Sequence, residues 1–293
     1  MNSQPHAFSQ VRLHADPSLT IVDALCARFP RIDASTWLDR FERGRVIDEH
    51  GRPLSATDLH RPGQLIRYFR EVIDEQPIPV SETILYQDDH LVVADKPHFL
   101  PISPTGPWVK ETLLSRLRLK LNNPHLSLIH RLDRGTAGVV LLCVNPKDRN
   151  GYQALFRERK VEKVYEALAP PLTHLIFPHR RCTRIVRGDP FFVSQEVDGV
   201  SNSETTIEVI ARQALYWHYR LRPYTGKKHQ LRVHMAALGA PIMNDLYYPH
   251  ARNSQKDDYN KPMALIARSL QFTDPVTGVA RHFVSDRPIG NVC

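Results

Sequence analysis

Several things this chain of 293 residues lacks narrow its function before any motif is considered. Its four cysteines (Cys26, Cys143, Cys182 and Cys293) are scattered, with no Cys-x-x-Cys pair. That argues against a disulfide framework and against a cysteine zinc site. No apolar run approaches the length of a membrane-spanning helix, and Met1 to Gln10 is polar, without the apolar core of a secretory leader. The expected address is cytoplasmic, with no membrane partner. The glycines form no dinucleotide-binding or phosphate-loop pattern. Among fifteen histidines the only tight pair is His229 and His234, five apart. The helical zinc motif needs a spacing of four with an interleaved Glu, which is missing here, so no metal is expected.

Hydrophobic residues at 42% and charged residues at 24% fit a globular protein with a sizeable core and room for more than one domain. The net charge of +8 favours a polyanionic partner, most often nucleic acid. Charge alone fits a basic protein that binds nothing equally well, so the motifs must decide.

Two folded units are expected, residues 1–76 and 83–293, with 77–82 as linker after the proline-punctuated stretch Glu75-Gln76-Pro77-Ile78-Pro79. In the first unit, Ile21, Leu25 and Phe29 have helical spacing, and Trp37, Leu38 and Phe41 suggest a second helix. Gly44 to Asp48 turns into a short strand, and Leu65 to Phe69 reads as another. In the second unit, Ile84 to Tyr86 and Leu91 to Ala94 flank a hairpin turn. Leu113, Leu114, Leu117 and Leu121 form a helical stripe ended by Asn122-Asn123-Pro124, and Val139 to Val144 is a buried strand. Asn145-Pro146 offers an N-cap and a first helical proline. Val161 to Ala169, Thr205 to Ile210 and Leu215 to Leu221 read as strands, and Leu231 to Leu238 as a helix stopped by Gly239. Strands followed by isolated helices imply an α+β class with a largely antiparallel central sheet, preceded by a small α+β unit.

The densest chemical constellation is His130-Arg131-Leu132-Asp133-Arg134-Gly135-Thr136-Ala137-Gly138, directly before the buried strand. Catalytic groups often lie on loops held by rigid elements. Arg131 and Arg134 flank Asp133, and nearby cations favour a carboxylate's charged form, which suits a nucleophile or base. Gly135 and Gly138 permit a tight backbone path, and Thr136 can bond a carboxylate or a backbone group. On local composition alone, an exposed salt-bridged turn fits as well.

His130 to Asn145 resembles the catalytic motif of the RluA-type RNA pseudouridine synthases: His-Arg-Leu-Asp, two residues, Thr, a small residue, Gly and an apolar strand. Asp95-Lys96-Pro97, Lys163-Val164-Tyr165-Glu166-Ala167, Thr225 to His234, Ala240 to Asp245 and Ala264 to Ala267 follow that family's pattern in order. The resemblance implies isomerisation of uridine in structured RNA, without cofactor. Asp133 takes the place of the essential aspartate, as nucleophile at C1′ or as base in a glycal route. Tyr165 takes that of the tyrosine facing the uracil, and Arg232 that of the arginine pairing with the aspartate through a bidentate fork. His130, Arg131, Thr136, His229, Gln230 and Leu231 are expected around the substrate. His130 fits a structural hydrogen bond better than an acid, and His229 fits a helix cap as well as substrate contact. Lys227 and Lys228 are expected to meet RNA.

Phe29 to Arg31, Arg40 to Val46, Asp48 to Pro53 and Arg61 to Ile66 resemble the S4-type RNA-binding domain. That resemblance places Arg40, Arg43 and Arg45 against RNA. The combination favours 23S ribosomal RNA as the partner, with transfer RNA as the alternative, and a monomer without an obligate protein partner. The chain departs from the family pattern at His98 to Pro101, at Asn244 and at Ile266-Ala267. A non-catalytic RNA-binding factor of the same fold would have lost Asp133, Tyr165 or Arg232, and all three are present. A kinase reading of His-Arg-Leu-Asp fails on spacing and on the lack of a glycine-rich loop.

Overall fold

A computed structural model describes residues 8–14, 16–30, 32–69, 75–251 and 257–289. The first seven residues of the polar start, Arg31, Val72 and Cys293 lie outside that set. The chain divides into two compact units, Met1–Asp74 and Glu75–Cys293.

In the first unit, β1 (Phe8–Arg12), α1 (Ile21–Arg28), α2 (Ala34–Glu42), β2 (Val46–Ile47) and β3 (Leu65–Phe69) follow in order. Thr20 caps α1 by accepting the Asp23 N–H at 3.2 Å. The three strands form an antiparallel sheet in the order β1-β3-β2. Leu25, Trp37, Val46 and Ile66, all fully buried, fill the space between helices and sheet. The expected helices and the strand Leu65–Phe69 are present, whereas β1 adds a strand beyond those expected.

The second unit begins with a correction to the linker. The Glu75 carboxylate accepts the N–H groups of Val109, Lys110 and Glu111 at 2.7–2.8 Å. Ile78 is buried, and Arg116 donates to the carbonyls of Ile78 and Val80 at 2.8 and 2.6 Å. Proline spacing suggests a free tether, but these bonds fasten the segment to the second unit.

From there run β4 (Thr83–Gln87), β5 (Leu91–Lys96), α3 (Leu113–Lys120), β6 (Ser127–Leu128) and β7 (Ala137–Cys143). Then come α4 (Arg149–Arg157), β8 (Glu162–Ala169), β9 (His179–Arg187), β10 (Ser194–Val197), β11 (Ser203–Arg212) and β12 (Trp217–Pro223). The last elements are α5 (Gln230–Ala237), β13 (Leu265–Thr273) and β14 (Ala280–Val284). Among the described residues eleven strands form one sheet in the order β10-β9-β11-β12-β8-β13-β7-β5-β4, with β14 on β13 and β6 on β7. The class is the expected α+β, and every pairing in this sheet is antiparallel except β13 with β7.

That parallel pairing positions the site. It sets Ala267 against Gly138, at φ +113°, and a Cβ on Gly138 would lie 2.2 Å from the Ala267 carbonyl oxygen. Only glycine permits this approach. All seven residues of β7 are buried, as its unbroken apolar run implies, so the loop preceding it hangs from a fully buried strand.

One helix starts later than expected. Asn145 and Pro146 form a turn, their carbonyls accepting the N–H groups of Asp148 and Arg149, and the Asn145 side chain donates to the Asp89 carbonyl. Asp148 is the N-cap residue of α4, without a side-chain cap. Strands β9, β10, β13 and β14 also go beyond those expected. Charged residues crowd β9, His-Arg-Arg-Cys-Thr-Arg-Ile-Val-Arg, and hide its alternation.

Candidate active site

The Asp133 loop is held from beneath by backbone bonds. The Thr136 N–H donates to the Asp133 carbonyl at 3.1 Å. The buried Lys96 ammonium donates to the carbonyls of Pro97, Leu100 and Arg134 at 2.9, 2.9 and 3.1 Å. Burial pushes Lys96 down to about 7, against the pull of the Asp133 charge. His98, one of the departures from the family pattern, donates from Nδ1 to the Gly135 carbonyl at 2.7 Å. The Arg134 guanidinium lies 4.2 Å over the Trp108 ring and pairs with Asp257. The residues that follow Asp133 are therefore fixed, while the Asp133 side chain keeps 30% of its surface exposed.

Arg232, on the first turn of α5 and 5% exposed, donates from Nη1 to Asp133 Oδ2 at 3.0 Å. The two residues are 99 positions apart and meet only through the fold. The expected bidentate fork exists, but on another acid. Nε and Nη2 of Arg232 donate to the two carboxylate oxygens of Asp245 at 2.7 Å each. Asp245 Oδ1 also accepts the N–H groups of Tyr247 and Tyr248 at 2.8 and 3.2 Å, and both rings lie 5.1 Å from the guanidinium. Burial opposes the charge on Arg232, but Asp245, and then Asp133, outweigh it and raise its pKa above the ordinary guanidinium value. A planar fork fixed on Asp245 leaves one N–H aimed at Asp133, so the arginine cannot swing away. Asp245 stands in a family-like stretch, yet its role is hidden there, because sequence does not reveal which acid an arginine forks onto.

His229 has a left-handed backbone, φ 57°, at the N-cap position of α5, and its side chain makes no cap bond. The expected capping role is thus not fulfilled. Instead Nδ1 meets the Tyr248 hydroxyl at 2.9 Å and Nε2 lies 3.7 Å from Asp133 Oδ1. Burial pushes its pKa down to about 4, so the imidazole is neutral at ordinary pH.

Asp133 opens into a cavity of about 730 Å³, a size suited to a nucleotide. Its walls carry Arg131, Arg157, Arg159, Lys163, Lys227 and Arg232, and Asp133 is the one carboxylate among the described lining residues. A cavity with six cations and a single acid can bind a polyanion and offers it one nucleophile. Tyr165, on β8, is half-buried in the same wall; burial, and then the Asp133 charge, push its pKa above the usual phenol value.

Residues 90–237 match the RNA pseudouridylate synthase family. The dual-specificity RNA pseudouridine synthase RluA of Haemophilus influenzae is 32% identical over 71% of this chain and 94% of its own length. An uncharacterized RNA pseudouridine synthase of Synechocystis is 27% identical over 78% of this chain and 79% of its own. The structure of human RNA pseudouridylate synthase domain containing 4 superposes with a TM-score of 0.56 at 29% identity, covering 70% of this chain and 88% of that one.

The chain belongs to the RluA-type RNA pseudouridine synthases.

As a member of that family it is an isomerase acting on structured RNA. Asp133, Tyr165 and Arg232 lie inside the matched segment, whereas Asp245 and the N-terminal unit lie outside it. The fold brings Asp133, Tyr165, Arg232, His130, Arg131, Thr136, His229, Gln230, Leu231 and Lys227 to one cavity. Two of them have side-chain atoms bonded within the protein. His130 Nε2 accepts the Leu141 N–H at 3.0 Å and its ring stacks on Phe156, while burial, and then Lys163, push it down to about 3. The Gln230 amide donates to the Glu204 carbonyl and to Thr205 Oγ1, both at 2.9 Å, and accepts from Thr225 Oγ1 and the Lys227 N–H. Gln230 therefore clamps the turn before α5 instead of reaching into the cavity. Leu231 belongs mainly to the core. Arg131, Lys227 and Lys228 are exposed.

Lys163, which its motif leaves without a role, donates to the Thr225 carbonyl at 3.1 Å. Burial, and then Arg159, push its pKa down to about 8.

In the first unit the three arginines expected against RNA also make contacts within the unit. Arg40 is buried with its guanidinium 4.8 Å over Trp37; Arg43 forks onto Asp39; Arg45 lies half-buried over Phe69 at 5.5 Å. An apolar and aromatic interior claims Arg40, which helical spacing alone cannot distinguish from a surface position. Among the described residues no cluster of three or more His, Cys, Asp or Glu could hold a metal, and no helix is long and apolar enough to cross a membrane.

Proposed function

We propose that this enzyme isomerises a flipped-out uridine with Asp133 as nucleophile. The observation that carries the reading is the chain of contacts Asp245–Arg232–Asp133, which ends on the one acid of a cationic cavity. Asp133 attacks C1′, the C1′–N1 bond breaks, and the electron pair leaves with the uracil. The uracil turns, C5 attacks C1′ and displaces the carboxylate. The C5 proton is then lost and N1 takes one up, so atoms balance without redox change or cofactor. Arg232 holds Asp133 in its charged form and aims it. Tyr165 stacks on the uracil as a neutral phenol, with its hydroxyl as the group closest in type to a relay for the C5 proton. A paired uridine cannot be reached in the duplex, so the nucleotide is extruded, with Arg131 at the cavity mouth.

The N-terminal unit, with its strand-helix-helix-strand-strand order, serves as an S4-like RNA-binding domain. Its combination with this catalytic unit favours ribosomal RNA. Transfer RNA is the second substrate class to be tested alongside it.

Asp133→Asn keeps size and most hydrogen bonds but can be neither nucleophile nor base. Tritium release from RNA carrying 5-tritiated uridine is expected to fall by at least about a thousandfold, with RNA affinity retained. Near-normal release would remove Asp133 from the mechanism. Carbodiimide–primer-extension mapping of ribosomal and transfer RNA from cells with and without the gene names the uridine.

A further inference from the structure

The mouth of the cavity carries a cation–aromatic pair that the chemistry at Asp133 does not use. The Arg159 guanidinium lies 4.7 Å over the ring of Tyr224, and both residues line the cavity that holds Asp133 and Tyr165. Tyr224 directly follows β12 and is anchored by its backbone, its N–H donating to the Glu204 carbonyl at 3.0 Å. Its side chain is 52% exposed, a large aromatic surface left open on a wall that otherwise covers its apolar groups.

Arg159 is unusual in its backbone as well. It directly follows the C-cap residue of α4 with φ 59°, in the left-handed region that favours glycine. The bonds from Arg159 N–H to the Phe156 carbonyl and from Lys160 N–H to the Leu155 carbonyl close the helix there. Glycine would make that turn without strain, yet the position carries a guanidinium. Among the described residues no carboxylate lies within ion-pair distance of Arg159; the nearby Glu204 pairs with Arg180 at 2.8 Å. An uncompensated guanidinium stacked on an open aromatic ring is the arrangement that holds an unstacked nucleobase while the charge meets its phosphate.

We infer that Arg159 and Tyr224 form a shelf that stacks the base next to the flipped uridine. This rests on the reading that the uridine enters the cavity between Asp133 and Tyr165. Once the target leaves the helix, its neighbour loses one stacking partner, and the shelf replaces it. Stacking is tolerant of sequence, so the shelf selects an unpaired neighbour, purine over pyrimidine, and restricts the enzyme to loops and bulges.

The test uses a synthetic RNA stem-loop spanning the mapped uridine, with abasic or 2-aminopurine nucleotides placed in turn at the flanking positions. Tyr224→Ala is expected to raise KM about tenfold with a much smaller change in kcat, while Tyr224→Trp preserves KM. Arg159→Ala raises KM about threefold. One abasic flanking position costs the native enzyme as much as Tyr224→Ala does, and combining the two adds nothing further. At that position 2-aminopurine fluorescence is quenched on binding the native protein and recovers in Tyr224→Ala. An unchanged KM in Tyr224→Ala, losses that multiply at every flanking position, or native binding indifferent to all abasic substitutions would each overturn the shelf. If Tyr224→Ala loses thermal stability, the abasic and fluorescence series on the native protein decides alone. Because binding and fluorescence need no turnover, an active Asp133→Asn would sink the nucleophile assignment without touching this result.

Discussion

Arg40 of the first unit and Arg232 of the other are alike by every local measure. Each sits on a short helix, each is less than a tenth exposed, and each lies over two aromatic rings, Trp37 and Tyr68 for one, Tyr247 and Tyr248 for the other. Beyond its rings Arg232 reaches two carboxylates. Arg232 is forked onto a fully buried carboxylate and donates a third N–H to one that is 30% exposed and opens on a cavity. The Arg40 guanidinium sits among the aromatic residues of a small core. A buried arginine becomes part of a site when it links an acid that fixes it to an acid that works. Burial and stacking alone describe both residues and distinguish neither.

The comparison can be broken most sharply at Arg232. Arg232→Ala strands Asp245, whose side chain is completely buried, without its cation, a loss of about 3–5 kcal/mol when a buried pair is split. It also removes the aim of Asp133, so kcat is expected to fall on the order of a thousandfold. Arg232→Lys keeps the charge without the planar fork and retains part of the activity. Tritium release and thermal melting read both effects; an Arg232→Ala enzyme with native kcat would reduce Arg232 to the status of Arg40. Next comes Asp245→Asn, which loosens the fork while leaving Asp133 and Arg232 in place. The expected drop in kcat is about a hundredfold, as for a small misplacement of a reacting group, with RNA affinity unchanged. Arg40→Met gives the smaller effect: about 1–2 kcal/mol less stability from weaker stacking and packing, and no change in kcat. Should Arg40→Met abolish RNA binding without a change in melting, Arg40 belongs to an interface after all.

Much of this is legible in the sequence, for identifiable reasons. The α+β class and most strands of the second unit follow from apolar periodicity, and the loop at Asp133 from the density of ionisable residues before a seven-residue buried strand. Gly138 reads as permissive in sequence, but the need for it comes from a parallel neighbour 129 residues away in the chain, which no local pattern encodes. The meeting of Asp133 and Arg232 follows only from family resemblance; spacing offers nothing. Asp245 and Lys96 stay hidden because their partners are set by tertiary geometry. The linker misleads because proline spacing resembles a tether, while the bonds from Glu75 to residues 109–111 are non-local.

The central claim is that chemistry belongs to the Asp133 cavity of the second unit, and that the first unit contributes affinity alone. Its direct test is the rate of tritium release at saturating RNA by a fragment of residues 75–293, cut so that Glu75 and its three bonds remain. The account predicts the kcat of the full chain, together with weaker RNA binding and a flatter salt dependence, since fewer phosphate contacts release fewer counterions. A fragment that melts like the full chain's second unit and binds RNA, yet turns over far more slowly at saturation, would contradict it.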